Sequence, residues 1–119
     1  EFPPEANAPI EPSHGFKELQ YEADKYGQTK IDSLVYERGM KPPTAISLDV
    51  EGSEWRVLGG AEKVLREHRP KIWLSGHPEF MMMYWKEYLY DLRQFIKGMG
   101  YKETFLDYQH EVHLYYESI

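Results

Sequence analysis

Polar side chains follow two predicted strands of this chain, at points where acid–base chemistry could take place. Asp49 and Glu51 come directly after an apolar run, and His77 follows the next one. A helical pattern separates the two runs, so together they predict a βαβ unit. Ligands of open α/β sheets bind outside the carboxyl ends of the strands. We therefore expect these three side chains to project into one crevice.

These three residues are our candidates for catalysis. A histidine there could take a proton from a hydroxyl group, and the two carboxylates could hold that hydroxyl or bind a metal ion. Each has a plainer alternative. Asp49 could shape the turn, Glu51 could cap the following helix through its backbone amides, and His77 could bond to local backbone ahead of Pro78.

A second polar group, His110, Glu111 and His113, lies at the turn between the last two predicted strands. A metal could bridge histidines three residues apart, but in a strand such residues point to opposite faces. We therefore favour substrate binding for this group. We predict that the site works without a metal ion. The alternative is that a divalent cation binds there.

Periodicity predicts the elements that position these residues. Continuous apolar runs are typical of buried strands, and apolar residues at helical spacing predict the two helices. The cluster at 81–83 is rich in methionine and could line a substrate pocket or the core. The predicted elements are a strand at 45–50, a helix at 53–68 capped by Ser53, a strand at 71–75, a helix at 85–98 and strands at 102–108 and 111–117.

The N-terminal region has a different composition. Residues 1–13 hold four prolines and predict an extended or disordered leader. A helix at 14–26 would begin the single α/β domain, which we assign to 14–119. The chain begins at Glu1, and we interpret it as a piece of a longer protein.

Composition excludes several classes of protein. The 119 residues suffice for one small domain, and the net charge of −6 argues against nucleic acid as the main partner. No apolar run approaches a membrane span, and no signal peptide is visible. The absence of cysteine excludes disulfides and thiolate metal sites and fits a reducing compartment, so we expect a cytoplasmic location.

The central segment resembles the signature of FkbM-type methyltransferases. The resemblance is carried by LDVEGSEWRVLGGAEKVL and RPKIWLSGHPEF, with IDSLV upstream and DYQHEVHLYY downstream, and it covers about residues 29–116. Many members carry a glutamate where this chain has Ser75. The residues that match the family pattern are Asp49, Val50, Glu51, Gly52, Glu54, Val57, Leu58, Gly60, Ala61, Arg69 and Pro70.

The resemblance implies transfer of a methyl group from S-adenosylmethionine to a hydroxyl of a small molecule or glycan. It also implies the C-terminal half of a Rossmann-like class I methyltransferase sheet: two parallel strands with a crossover helix, then a helix and an antiparallel hairpin. The glycine-rich cofactor loop of that fold has no counterpart, since no G-x-G-x-G occurs in this chain. We therefore expect the isolated chain to be inactive.

Two further expectations follow from a half-domain. The edge of the strand at 45–50 would be bare, so we expect a missing N-terminal half, a second chain or a second copy to cover it. The alternative function is a non-catalytic half-domain that serves as a binding or assembly module.

Overall fold

The computed structural model describes residues 29–119, which form a four-stranded sheet with helices against one face. The predicted leader at 1–13 and the predicted helix at 14–26 lie outside the described residues. None of the helices within 29–119 is long and apolar enough to cross a membrane. The elements are α1 (Ile31–Tyr36), β1 (Ala45–Leu48), α2 (Glu54–Gly59), α3 (Glu62–His68), β2 (Lys71–Gly76), α4 (Pro78–Trp85), α5 (Leu89–Gly98), β3 (Tyr101–Tyr108) and β4 (Val112–Ser118).

The strand order is β1-β2-β4-β3. β1 and β2 are parallel, and β4 pairs antiparallel with both β2 and β3. The predicted parallel pair with a closing hairpin is thus confirmed, and the bounds of β2, β3 and β4 agree with the sequence within a residue. Since Gly76 at the end of β2 lies opposite Val112 at the start of β4, the hairpin turn lies at the edge where β1 and β2 end.

The core lies between the helices and one face of the sheet. Along β2 the side chains alternate, so that Ile72 and Leu74 are buried whereas Trp73 is 42% exposed. On the outer face Trp73 packs against Tyr115 of β4, with ring centroids 4.7 Å apart. The helices therefore leave the second face of the sheet largely open within the described residues.

β1 is shorter and more exposed than predicted. It ends at Leu48, and burial alternates along it, with Ile46 buried but Ala45 and Ser47 exposed. The prediction of a buried strand is wrong for the outward-facing residues of β1, because within 29–119 helices cover one face of the sheet alone. Within 29–119 β1 pairs with β2 only, and the cover for its other edge stays a prediction.

The single helix predicted at 53–68 is instead two helices, separated at Gly60 and Ala61. Glycine is a poor helix former, and the Gly60 carbonyl accepts a hydrogen bond from the Asp32 amide at 2.9 Å. The Asp32 carboxylate in turn accepts the backbone N–H groups of Lys63 and Val64 at 3.0 and 2.9 Å. A residue of α1 thus caps α3, which local periodicity could not reveal.

The helix predicted to begin at Trp85 also differs. Trp85 ends α4, Lys86 follows with a left-handed backbone, and α5 begins at Leu89. α4 begins at Pro78, whose fixed φ and missing N–H suit the first turn of a helix. Of the methionine cluster, Met81 is fully buried in the core whereas Met83 is 51% exposed.

Candidate active site

Three turns meet at the edge of the sheet where β1 and β2 end. The β1–α2 turn carries Asp49 and Glu51, the β2–α4 turn carries His77, and the β3–β4 turn carries His110 and Glu111. Parallel β1 and β2 end at the same edge, and antiparallel β4 begins there. A cavity of about 370 Å³ lies between the turns, and its lining includes Glu51, His77, Glu79, Phe80, His110 and Glu111.

His77 lies at the centre of this site. Its Nε2 atom is 2.6 Å from Glu111 Oε2 and 3.2 Å from Asp49 Oδ1. The side chain of His77 is 11% exposed, and its ring stacks on Phe80 with centroids 5.9 Å apart. The alternative of a turn histidine bonded only to local backbone is therefore wrong, since the imidazole contacts carboxylates from two other turns.

Glu54 was not among the predicted site residues, although its side chain is completely buried behind His77. Its two carboxylate oxygens accept the backbone N–H groups of Gly52 at 2.7 Å and of His77 at 2.9 Å. Burial raises the pKa of Glu54, while these two N–H donors act in the opposite direction. The buried carboxylate thus joins the turn after β1 to the turn after β2.

Glu54 also faces the imidazole. Its Oε2 atom lies 3.4 Å from His77 Nδ1, without hydrogen-bond geometry, and within 29–119 this buried nitrogen has no hydrogen-bond partner. A glutamate at the start of a helix is usually explained by the helix dipole, which concealed this role. The signal that could have indicated this role was the place of Glu54 in the family pattern.

The predicted N-cap position of α2 is confirmed, but within 29–119 no side chain caps the helix. Ser53 occupies the N-cap position, but its side chain makes no capping hydrogen bond. The amide of Gly52 donates to Glu54 and not to Glu51. Glu51 instead has a left-handed backbone with φ of 50° and lines the cavity.

The second predicted group is divided between two surroundings. His110 is exposed and lines the cavity with Glu111. His113 lies deeper along β4, where its Nδ1 is 3.1 Å from Ser75 Oγ and its Nε2 is 3.6 Å from Glu111 Oε1. Ser75 therefore contacts His113, and Glu111 joins that histidine to His77.

The carboxylates of the site pair with histidines. In the described part of the chain, the ion pairs of Asp49, Glu54 and Glu111 are formed with His77 or His113 and not with lysine or arginine. Three carboxylates thus face the His77 imidazole, which carries a single positive charge at most, and one of them, Glu111, also has His113 at 3.6 Å. This arrangement can accept a proton or attract a cation.

Comparison with known proteins identifies the family. A family model described as the Methyltransferase FkbM domain matches residues 5–103. Neither the search of curated proteins nor that of solved structures found a match. Because the family match covers most of the chain, the chain belongs to the FkbM methyltransferase family, as the resemblance in its central segment indicated.

Proposed function

We propose that this member of the FkbM methyltransferase family is the acceptor-binding part of an S-adenosylmethionine-dependent O-methyltransferase that acts on a hydroxyl of a small molecule or glycan. The observation that carries the proposal is the contact between His77 Nε2 and Glu111 Oε2, at 2.6 Å in the wall of the cavity. A histidine and a carboxylate at this distance can share a proton.

The burial of the two groups suggests how a hydroxyl proton would leave the acceptor. Glu111 is 27% exposed and His77 is 11% exposed, so the carboxylate is the more accessible of the pair. A proton released by the acceptor can reach Glu111 and then His77 across the short contact. Asp49 lies 3.2 Å from the same nitrogen and would stabilise the imidazolium that forms.

The cavity lining supports a neutral, polyhydroxylated acceptor. Glu51, Glu79 and Glu111 would repel an anionic group, whereas their oxygens can accept hydrogen bonds from hydroxyl groups. Gln109 and His110 add groups that can donate or accept. We therefore assign acceptor binding to His110, Glu111 and His113, as the sequence predicts, with Glu111 also in contact with the base.

The described residues do not by themselves fit S-adenosylmethionine, which supplies the methyl group in enzymes of this kind. One glycine follows β1 and another ends β2. The space beside each is occupied by a neighbouring side chain and is not open to a ligand. A Cβ atom at Gly52 would lie 2.7 Å from Phe80 Cβ, and one at Gly76 would lie 2.8 Å from Leu89 Cδ1. We propose that the cofactor binds mainly to a part of the enzyme outside these residues, so the isolated chain is inactive.

The sheet also supports a cofactor-binding part outside the described residues. β1 is an edge strand within 29–119, and the outer face of the sheet is largely open. We propose that a missing N-terminal half, another chain or a second copy adds a strand beside β1 and completes the methyltransferase sheet. The expected cytoplasmic location and the absence of a nucleic-acid partner belong to this proposal as well.

A second candidate, a non-catalytic binding or assembly module, is favoured by the structural use of the family motif. Glu54 joins two turns, Gly52 packs against Phe80, and Arg69 donates to the carbonyls of Met99 and Gly100 at 2.7 and 2.8 Å. A chain kept only for its fold would retain these residues. It would not need Glu111 beside His77.

The deciding experiment combines cofactor binding with methyl transfer. S-adenosylmethionine is titrated by calorimetry into this chain and into any longer gene product that contains it, and transfer of labelled methyl to neutral polyols is measured with the longer protein. We expect binding and transfer only with the longer protein. His77→Gln should reduce the rate by about 10²-fold or more, as loss of a general base does, whereas the exposed His68→Gln should not change it. Binding by neither protein would favour the non-catalytic module.

A further inference from the structure

We propose that Asp49, His77 and Glu111 bind a divalent first-row transition-metal cation at the edge of the cavity. Binding of the cation can be tested without any methyl transfer. Its role, which is to hold and activate the acceptor hydroxyl, rests on the proposed function. The structure gathers these three residues with one potential ligand atom each, all within 4.8 Å of one another.

The geometry around His77 Nε2 favours a cation over a simple ion pair. Two carboxylate oxygens approach this nitrogen, from Glu111 at 2.6 Å and from Asp49 at 3.2 Å. A ring nitrogen carries at most one hydrogen, so one N–H group cannot fully satisfy both oxygens. Ligands at right angles on bonds of about 2.1 Å lie about 3 Å apart, and the two separations from His77 Nε2 are within about 0.4 Å of this value.

The other side of the imidazole supplies an independent argument. His77 Nδ1 is buried and has no hydrogen-bond partner within 29–119, and Glu54 Oε2 lies 3.4 Å from it. If Nε2 binds a cation, the ring proton must reside on Nδ1, and a small rotation of the ring would let Glu54 accept it. Histidine ligands of metals typically donate their second N–H to a carboxylate that fixes the ring orientation. Glu54 is held for this task by two backbone amides.

The charge of the site points the same way. The described ion pairs of Asp49, Glu54 and Glu111 are with histidines alone, so no lysine or arginine within 29–119 pairs directly with these carboxylates. By contrast, Glu103 at the other end of the sheet has Arg93 at 2.8 Å and Lys97 at 3.9 Å. A divalent cation would supply at the site the positive charge that Arg93 and Lys97 supply to Glu103.

The ligand types narrow the choice of cation. Imidazole nitrogen suits zinc, iron, nickel and copper, and carboxylates suit manganese, magnesium and calcium. A mixed set of one imidazole and two carboxylates therefore fits Mn²⁺, Fe²⁺ or Zn²⁺ better than Ca²⁺. Three protein ligands leave coordination positions open toward the cavity. A hydroxyl bound there would lose its proton more readily, because the cation stabilises the alkoxide. With the cation on Nε2 of His77, this proton would pass to Glu51, an exposed carboxylate of the cavity lining, instead of passing through Glu111 to His77.

The binding test uses Mn²⁺ on the 119-residue chain after treatment with a chelator. Loss of the electron paramagnetic resonance signal of free Mn²⁺ gives the affinity, and nitrogen coupling to the bound ion reports the imidazole. We expect one saturable site with nitrogen coupling, which His77→Gln abolishes. Asp49→Asn and Glu111→Gln should each weaken binding at least about tenfold, and Glu54→Gln about 10–100-fold.

Glu79→Gln is the matched control, since Glu79 is an exposed acid that lines the same cavity but is not among the three ligands. It should leave the affinity for Mn²⁺ unchanged. Asp49 is 57% exposed in its side chain, so Asp49→Asn should keep the fold and test the ligand role alone. Absence of saturable binding, or equal binding by all the variants, would overturn the proposal.

Removing the cation with a chelator tests the metal-site proposal separately from the methyltransferase proposal. If the chain binds Mn²⁺ through these residues but no longer protein transfers a methyl group, the metal site stands and the methyltransferase proposal fails. If methyl transfer occurs and is unaffected by chelation and by Asp49→Asn, the methyltransferase proposal stands and the activating cation is refuted.

Discussion

The two ends of the sheet contain similar polar residues but balance their charges differently. At the end where β1 and β2 begin, Arg93 forms two hydrogen bonds with Glu103 at 2.9 and 2.8 Å, and Tyr116 donates a third at 2.6 Å. At the opposite end three carboxylates surround His77. The difference indicates that the first cluster serves the fold, whereas the second has capacity left for a proton or a cation.

The pKa directions follow this contrast. Hydrogen bonds from Arg93 hold the pKa of Glu103 below its usual value, even though partial burial acts the other way. At the site, burial raises the pKa of Glu54 despite two amide donors. A carboxylate paired with a guanidinium stabilises the folded chain at neutral pH, whereas the burial of Glu54 without such a partner offsets part of the stabilisation that its two amide hydrogen bonds supply.

Arg69 forms further hydrogen bonds at the end of the sheet that contains Arg93 and Glu103. It donates to the carbonyls of Met99 and Gly100, and its guanidinium lies 4.6 Å from the ring centroid of Tyr101. Tyr101 in turn donates to the Pro70 carbonyl at 2.7 Å. The start of β2 and the start of β3 are therefore held together by groups with matched partners.

The strongest test of the comparison is Glu54→Ala, which we expect to destabilise the chain by about 2–4 kcal/mol. The substitution would leave the amides of Gly52 and His77 without an acceptor, and each orphaned buried donor costs about 1–3 kcal/mol. Unfolding in urea measures the change. Glu54→Gln keeps an acceptor oxygen and should cost less. A negligible effect of Glu54→Ala would show that the turns do not depend on this carboxylate.

The second test is Glu103→Gln, which should cost about 1–2 kcal/mol at neutral pH by weakening the hydrogen bonds with Arg93. Because the folded-state pKa of Glu103 is lowered, its stabilisation is present above the unfolded-state pKa and is lost as pH falls through the folded-state value. Urea unfolding between neutral and acidic pH should therefore show a smaller acid loss in the variant. An unchanged acid dependence would contradict a folding role for this pair.

The smallest expected effect on stability is that of His110→Ala. His110 is exposed in the hairpin turn and lines the cavity without forming part of the core. We expect the free energy of unfolding to change by no more than about 0.5 kcal/mol, while acceptor binding weakens. A large loss of stability would show that the hairpin turn, and not only the end of the sheet with Arg93 and Glu103, supports the fold.

Regular elements were predictable because they depend on local patterns. The alternating β4 and the apolar face of α5 were found within a few residues. The errors lie where a distant group decides a boundary. α3 begins at Glu62 because Asp32 caps it from α1, and α4 ends at Trp85 with a left-handed residue after it.

The candidate site was likewise predictable where it depends on local sequence and not where it depends on distant contacts. Asp49 and His77 could be chosen from their position after strands, because the ends of parallel strands share an edge. Glu54 was missed as a site residue because a helix-start glutamate is usually explained by the helix dipole. Its complete burial follows from the packing of two turns and has no local signature.

By itself the sequence determined the family, the α/β class, and the acids and histidine that follow the strands. These properties depend on residue types and short spacings, which survive without knowledge of distant contacts. Only the tertiary structure placed Glu111 at 2.6 Å and Glu54 at 3.4 Å on the two sides of the His77 ring. That outcome depends on the antiparallel pairing of β4 with β2 and on the burial of the first turn of α2, which are long-range consequences of packing.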